Sequence, residues 1–229
     1  MKSDERVVVI KYDSGGRYTG AVKLDEKFDP SQLGVFGNGG FFASGVTLLK
    51  GGDDPQFSPY AAIFDASGRL VKRMEAGDPA DAQPAGEREE DKNKGKAAGA
   101  PPDFSIIESD GTFVYLLRQG AAPVVYVVSP AGVVDRKLKL SPSRKGEQVS
   151  AMRIGPGQIL LEYVRPNALP NESAEYELVL YDGRTGESVS TYRRSAEVSG
   201  TLACTDWRGN FSFVSSDSKG RMLLNARAR

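Results

Sequence analysis

The feature that most constrains this chain is an internal repeat of short apolar strands and glycine turns. In a first kind of repeat unit, an apolar strand ends in an acid or Ser and is followed by a turn that contains Gly. Its four copies cover 7–17, 62–69, 125–133 and 178–187. The acid or Ser can bond back to the turn backbone, and Gly adopts a positive φ without steric cost. Because an alternating strand follows each turn, each copy predicts a β-hairpin.

A second kind of unit follows each copy of the first, and consists of a short strand, a Gly turn and a more apolar strand. Its marker glycines are Gly40, Gly111, Gly157 and Gly209, spaced by 71, 46 and 52 residues. Two alternating hairpins predict a four-stranded antiparallel unit, and no helical periodicity is sustained along the sequence. Four-stranded sheets that repeat every 45–55 residues or so are typical of β-propeller blades, roughly the period of known propeller repeats.

The turn motifs resemble those of bacterial β-propeller repeat proteins of the NHL or a related six-bladed type. Such families carry an aromatic–Asp–x–x–Gly turn in one strand pair, as in 12–16, and an Asp-Gly or Asn-Gly turn in the next, as in 110–111. The turn 182–186 is also similar to the Asp-x-x-Thr-Gly turn of quinoprotein-type propellers. The resemblance covers nearly the whole chain and implies an all-β, β-propeller-like fold, but it implies no particular ligand.

The strands are expected to form one propeller-like domain over 1–229, with strands A to D in each blade. Residues 6–24 supply strands C and D, and 200–228 supply A, B and a last strand. Complete A–D sets are expected in 31–74, 104–140 and 148–193. This layout gives about four to five blades, within the usual propeller range. We favour an incomplete part of a six-bladed propeller over a small closed ring, and an open arc favours a homodimer through its exposed strand edges.

One segment interrupts the repeats. Residues 75–102 contain no Val, Ile, Leu or aromatic residue and consist mainly of Ala, Gly, Pro and charged side chains. Such a segment cannot bury enough apolar surface to offset the entropy lost on ordering, so it is predicted to be a disordered loop between blades.

Composition excludes several classes of site. The chain has no His and one Cys, Cys204, which rules out His-dependent catalysis, His-ligated metals and an internal disulfide. Lys and Arg balance Asp and Glu, so general attraction to nucleic acid is not expected. No apolar run is long enough to insert into a membrane. The charged start, 1–6, precedes too short an apolar run for a signal peptide, and the compartment is left unknown.

Single motifs carry little chemistry, and no catalytic, cofactor-binding or metal-ligating residue is assigned. Asp13, Asp65 and Asp182 are interpreted as turn caps, since calcium needs more oxygen ligands than each place offers. Cys204 is predicted to be a small buried apolar side chain, and Trp207 to pack between blades. The remaining matches are discounted: an S-x-x-K pattern at 216–219, glycosylation sequons at 171–173 and 210–212, and a mildly acidic rim of Asp25, Glu26, Asp29, Asp53 and Asp54.

Function is expected on one face of the blades. The Gly turns fall on one face, and the long connections fall on the other: 25–30, 50–59, 75–102, 141–148, 165–175 and 194–200. Long loops on a rigid scaffold commonly carry binding. The favoured interpretation is a non-catalytic scaffold that binds a protein, peptide or glycan. The alternatives are a propeller hydrolase or lyase that uses channel carboxylates, and a truncated piece that needs a partner chain.

Overall fold

The computed structural model describes residues 7–50, 56–74, 104–119, 122–141, 147–165, 175–194, 200–207, 210–216 and 222–227. The described residues form seventeen strands in five antiparallel sheets and contain no helix. The fold class is therefore all-β, with a propeller-like array of blades, as the repeat predicts.

The strands follow one another closely in sequence. They are β1 (Val8–Tyr12), β2 (Tyr18–Lys23), β3 (Asp29–Val35), β4 (Phe41–Lys50), β5 (Gln56–Phe64), β6 (Leu70–Arg73), β7 (Ile106–Ser109), β8 (Val114–Arg118), β9 (Val124–Val128), β10 (Val134–Lys139), β11 (Gln148–Gly155), β12 (Gln158–Arg165), β13 (Glu175–Asp182), β14 (Ser188–Arg193), β15 (Thr201–Thr205), β16 (Phe211–Ser216) and β17 (Met222–Arg227).

Within each sheet, strands that are neighbours in sequence are neighbours in space. Three sheets have four strands, namely β3–β6, β7–β10 and β11–β14, while β1–β2 has two strands and β15–β17 has three. These are the sets expected from the repeat, including the strand pair at the start and the three strands at the end. The Gly turns join strands 1 to 2 and 3 to 4 of each four-stranded sheet.

The glycines that mark the first repeat unit all occupy the left-handed region. Gly16, Gly68, Gly132 and Gly186 have φ values of 77°, 87°, 75° and 77°. Each lies in the turn between two paired strands, where a Cβ would be strained. The equivalent φ in four turns explains why Gly recurs at these positions, and it confirms that they are turn glycines.

The third strand of each four-stranded sheet provides much of the core. All five residues of β9 are buried, and β5 and β13 each contain a continuous buried run, 60–64 and 178–181. Apolar side chains on both faces of these strands are covered, which explains their nearly uninterrupted Val, Ile, Leu and aromatic sequences. The fourth strands β6, β10 and β14 are more exposed and more polar than the third strands.

The chain divides into two compact units, 1–114 with 127–135 and 115–126 with 136–229. In the first unit, a core cluster includes Leu24, Phe28, Phe41, Tyr60 and Phe64. In the second, a cluster centres on Leu160, Leu178, Leu180, Leu202 and Phe213. Whether 1–229 behaves as one domain stays a prediction.

Polar side chains link one sheet to the next by donating to backbone carbonyls. In the first unit, Lys11 Nζ donates to Ala66 O at 2.8 Å and Lys72 Nζ donates to Gly132 O at 2.8 Å. In the second unit, Arg153 Nη2 donates to Leu202 O at 2.6 Å. A hydrogen bond from a charged donor is stronger than a neutral one, so these contacts help to hold neighbouring sheets together.

Candidate functional site

The long connections of each four-stranded sheet lie at the ends of its strands opposite the Gly turns, because successive connections of an antiparallel sheet alternate between the two ends. We call the strand ends with the long connections the loop edge, and the strand ends with the Gly turns the turn edge. Strands 2 and 3 of each sheet are joined at the loop edge, and the chain also enters and leaves each four-stranded sheet there. The sequence prediction placed function at this edge, and the structure gives its geometry within each unit.

Three of the connections, 25–30, 50–59 and 165–175, are shorter than the sequence predicted, whereas the strand bounds leave 194–200 as predicted. Asp29 and Pro30 belong to β3, β4 continues to Lys50, and Arg165 pairs with Glu175 across β12 and β13. The sequence prediction assigned these polar residues to loops, but in the structure they extend the strands. Backbone hydrogen bonds between strands do not need apolar side chains, and every second side chain of a strand can face solvent. The middles of the predicted connections, 51–55, 75–103, 142–146, 166–174 and 195–199, lie outside the described residues.

A buried ion pair lies beneath the loop edge of the second unit. Arg194, directly after β14, places Nη1 2.9 Å from Glu162 Oε1 of β12, and the two side chains are 5% and 3% exposed. Ser150 Oγ donates to Glu162 Oε2 at 2.9 Å. The carboxylate is thus paired and hydrogen-bonded, and these contacts offset the cost of burying it.

The same guanidinium holds together the two ends of one connection. Arg194 Nη2 donates to Gly200 O at 2.8 Å, so the residues that flank 195–199 are joined by one side chain. Aromatic rings also contact it, with the Arg194 Cζ atom 4.3 Å from the Tyr176 ring centroid and 4.5 Å from that of Phe213. A buried cation that lies over two aromatic rings is well placed for cation–π attraction.

Sequence reasoning missed this ion pair. Arg194 was noted only as the start of a connection, and Glu162 was not singled out. A signal was present, because Glu162 interrupts the run 159–163, whose other residues are apolar or aromatic and buried. A charged residue at such a place predicts a buried partner, although the sequence does not say which one.

In the first unit, aromatic rings and an ion pair hold the connection between β2 and β3. Phe28 stacks on Tyr60 with centroids 4.4 Å apart, and Glu26 Oε2 accepts a 2.6 Å hydrogen bond from Arg73 Nη2. The Tyr60 hydroxyl is buried and, among the described residues, stands alone as a buried side-chain polar atom without a hydrogen-bond partner. Burial, with a smaller contribution from the Glu26 charge, raises the pKa of Tyr60 to about 12.

A pair of buried tyrosines in the second unit links strands β12 and β13 to Ser141, which follows β10. Tyr181 donates its hydroxyl proton to Ser141 O at 2.8 Å, and its oxygen lies 2.7 Å from the Tyr163 hydroxyl. Because Tyr181 uses its proton on Ser141, Tyr163 is the donor of the second bond. Burial raises the pKa of both hydroxyls, so neither is set up to ionise near neutral pH.

The three aspartates interpreted as turn caps do cap turns. Asp13 Oδ1 accepts from the backbone N–H groups of Gly15 and Arg17, and Asp182 Oδ1 accepts from Arg184 and Thr185. Asp65 does the same and also accepts from the Ser67 hydroxyl at 2.6 Å, which is the largest cause lowering its pKa to about 2. All three lie in Gly turns, between β1 and β2, β5 and β6, and β13 and β14, so their carboxylates serve local structure.

The residues of the predicted acidic rim lie in different environments. Glu26 is paired with Arg73, and the N–H of Asp25 donates to Gly68 O at 3.2 Å. Asp29 is in β3, while Asp53 and Asp54 lie outside the described residues. Among the described residues, no group of three or more His, Cys, Asp or Glu side chains is arranged to hold a metal ion.

The prediction for Cys204 was wrong. Its side chain is exposed on β15, although Leu202 on the same strand is buried. A β-bulge explains the difference, since Leu202 pairs with Phe213 and Cys204 with the next residue, Ser212. The extra residue turns Cys204 to the opposite face from Leu202.

The prediction for Trp207 is confirmed. The indole lies over Gly155 at the end of β11, in the space that a Cβ of that residue would need. It also packs against the core cluster shared by β11–β14 and β15–β17. Trp207 has a φ of 63°, and its N–H donates to Thr205 Oγ1 at 3.0 Å. Gly155 therefore provides the flat surface on which the ring rests.

The discounted motifs contribute nothing to the site. Ser216 ends β16, and 217–220 lie outside the described residues, as does the sequon 171–173. In the other sequon, Phe211 and Ser212 belong to β16 and Phe211 is buried. Within the described parts of the chain, no helix has the length and apolarity needed to cross a membrane.

No protein-family model and no curated protein matches this chain. A solved structure similar to it is a subtype N11 neuraminidase-like protein of A/flat-faced bat/Peru/033/2010 (H18N11), 13% identical with a TM-score of 0.43. That match covers 96% of this chain but only 58% of the neuraminidase-like chain. A protein of unknown function from Bacteroides caccae is 11% identical over 90% of this chain and 78% of its own, with a TM-score of 0.36.

Both similarities are low, so the fold is defined here by the strand pairing of the chain itself. Four-stranded antiparallel sheets that follow one another along the chain, each closed by Gly turns at one edge, define a propeller-like β protein. The candidate site of this protein is the loop edge.

Proposed function

We propose that this protein is a non-catalytic binding scaffold that recognises a protein, peptide or glycan through the connections at its loop edge. The observation that carries the proposal is that Arg194 forms an ion pair with Glu162 and a hydrogen bond with Gly200 O. These contacts join the two ends of one connection and attach them to the sheet β11–β14. Binding loops are effective when a rigid scaffold fixes their ends, because less entropy is lost on binding.

The first unit supports the same proposal by different chemistry. The 25–28 connection is held by the stacking of Phe28 on Tyr60 and by the Glu26–Arg73 ion pair, while Asp25 and Lys27 remain exposed beside them. The anchoring groups are thus separate from the exposed groups that would meet a ligand. We also propose that the chain is related to bacterial, NHL-like propellers of the six-bladed type, as its turn motifs indicate.

The test is a binding screen of the purified full chain against a random peptide display library and an immobilised glycan array, with heat-unfolded chain as the reference. Probes that bind the folded chain alone are then measured with two charge-reversal variants of the second unit. Arg165→Glu alters the loop edge and Arg184→Glu alters the turn edge, and both side chains belong to exposed residues.

We expect Arg165→Glu to change the affinity of the selected probe at least several-fold, and Arg184→Glu to leave it within twofold of the wild type. Charged groups at the rim of an interface act over short distances in salt, so a distant reversal has little effect. The proposal is overturned if no probe prefers the folded chain, or if the turn-edge variant alone loses binding.

A further inference from the structure

The turn between β3 and β4 contains the single Asn-Gly pair of the sequence, Asn38-Gly39. Asn side chains are chemically labile, and an Asn that precedes Gly is especially prone to lose its side-chain amide. The reason is that Gly has no side chain to hinder attack by its own backbone nitrogen. Asn38 is exposed and Gly39 is partly exposed, so water reaches both residues. This turn therefore carries a reactive pair.

Deamidation of such a pair has two steps and uses water alone as co-reactant. The Gly39 nitrogen bonds to the Asn38 Cγ atom and closes a succinimide ring, while the Cγ–Nδ2 bond breaks and ammonia leaves with the Gly39 amide proton. Water then opens the ring. Breaking the ring bond to Cγ gives aspartate, and breaking the ring bond to the main-chain carbonyl gives isoaspartate, in which the backbone runs through Cβ and Cγ.

In the folded chain, the attacking nitrogen is engaged elsewhere. The Gly39 N–H donates to Phe36 O at 2.9 Å, which directs this nitrogen across the turn. A second backbone bond, from Phe36 N to Gly40 O at 2.8 Å, closes the turn on its other side. Attack on Cγ requires the peptide plane between Asn38 and Gly39 to rotate, and that rotation breaks the first of these bonds.

The side-chain amide that would be attacked is also held. Asn38 Oδ1 accepts from the Gly40 N–H at 2.9 Å, so the side chain bonds to the backbone two residues on. The amide is thus oriented by the residue beyond the nitrogen that would have to attack it. Both partners of the reaction have hydrogen bonds that oppose their meeting.

Neighbouring turns restrain the same segment. The Gly37 N–H donates to Gly111 O at 2.5 Å. Gly39 lies close to Ala66, whose Cβ atom would be 3.3 Å from a Cβ built on Gly39, and Gly40 is buried. Local opening of this turn would disturb its contacts with two other turns. The reactive geometry is therefore reached mainly when the chain unfolds.

We infer that Asn38 is a deamidation site gated by folding: the folded turn blocks succinimide formation at Asn38-Gly39, and unfolding releases it. The two products differ in their effect. Aspartate keeps an oxygen that can accept from the Gly40 N–H, whereas isoaspartate adds one backbone atom to a turn closed by both bonds of Phe36. A chain that contains isoaspartate cannot regain this turn, so time spent unfolded becomes irreversible loss of the fold. The site lies at the turn edge and is independent of the proposed function.

The first experiment compares the full chain folded in buffer with the full chain unfolded in guanidinium chloride, at one temperature and one mildly alkaline pH. Peptide mass spectrometry measures the exchange of NH2 for OH at Asn38, and isoaspartyl methyltransferase labelling detects isoaspartate. Asn210 is the internal reference, because the bulky Phe211 that follows it hinders the attack. We expect deamidation of Asn38 to be at least tenfold slower in the folded chain, and Asn210 to stay nearly unmodified in both.

A refolding series tests the consequence for the fold. After increasing times in guanidinium chloride the chain is diluted, and the folded fraction is read from the emission of Trp207, the sole tryptophan. We expect the wild type to lose refolding yield in step with isoaspartate formation, while Asn38→Ser, which has no amide to lose, keeps its yield and Asn38→Asp folds like the wild type.

Three results would overturn the inference. One is an equal rate of deamidation at Asn38 in the folded and unfolded chain. Another is isoaspartate at this position as often in the refolded fraction as in the fraction that fails to refold. The third is an Asn38→Ser variant that loses refolding yield as fast as the wild type. The comparison of rates in the wild type holds even if a variant folds poorly.

Discussion

Arg194 and Glu162 form a fully buried ion pair, 32 residues apart in the chain and 2.9 Å apart in space. Glu162 lies in β12 and Arg194 directly follows β14, and β13 lies between these two strands in the sheet. The ion pair therefore holds the chain in place where it leaves β14. A buried charge is costly without its partner, so this contact is decisive for local order although it adds little net stability.

Removing one member of that pair should destabilise the fold strongly. Arg194→Met leaves the Glu162 carboxylate buried without its cation and should lower the free energy of unfolding by about 3–5 kcal/mol. The double variant Arg194→Met/Glu162→Leu should recover most of that loss, since no charge is then buried. Urea unfolding measures both, and Arg193→Met, at the exposed neighbouring residue, should change stability by less than about 0.5 kcal/mol. A double variant no better than the single one would contradict the account.

The two buried tyrosines should differ in their cost of removal. Tyr181→Phe leaves the Tyr163 hydroxyl and Ser141 O without a partner, and should cost about 1–3 kcal/mol. Tyr163→Phe leaves the Tyr181–Ser141 bond intact and should cost about 0.5–1.5 kcal/mol. Urea unfolding of both single variants and of the double variant gives the coupling between them. Equal costs with no coupling would show that the hydroxyls do not form this chain.

The Asp65 turn should make stability depend on acid pH. Its folded pKa is about 2 and its ordinary value is 3.8, so its contribution is complete above pH 4 or so and is lost as pH falls towards 2. Ser67→Ala removes the largest cause and should move the pKa of Asp65 back towards 3.8. Carboxyl titration by NMR measures this shift. Ser14→Ala, in the turn after β1, should leave the Asp65 titration unchanged.

The contact between Gly155 and Trp207 can be read by fluorescence. Gly155→Ala places a methyl group where the indole lies, so the ring must move and the fold should lose about 1–3 kcal/mol. Because Trp207 is the sole tryptophan of the chain, its emission should shift to longer wavelength as the ring gains solvent. Gly157→Ala is the comparison, since its Cβ would meet nothing within 4 Å, although its φ of 68° adds strain. An unshifted emission in Gly155→Ala would contradict the packing.

The local part of the fold was predictable from the sequence. Strand sets and turns follow from alternation and from the spacing of Asp and Gly, because a turn is specified by residues within five positions of one another. Asp65 as a cap and Gly68 as a left-handed residue are examples. The packing of Trp207 between sheets was also predictable, since an indole is a large apolar group that gains free energy when it is buried.

What could not be predicted depends on contacts distant in sequence or on single-residue shifts. Glu162 and Arg194 come together only when β12, β13 and β14 pair side by side. The exposure of Cys204 depends on one bulge, and an insertion of one residue reverses which face a side chain takes. The ends of β4 and β5 were mistaken for loop, because polar residues such as Gln56 and Ser58 continue the ladder on the solvent side.

Amide hydrogen exchange, with and without a probe selected for binding the folded chain, would locate the binding surface directly. A probe bound at an anchored connection should add protection at 25–28 in the first unit, or at Tyr176, Arg194 and Gly200 in the second. Exchange at the Gly turns 14–17, 66–69 and 183–187 should be unchanged. Protection confined to the turn edge, or spread evenly over both edges, would contradict a binding surface built on the anchored connections.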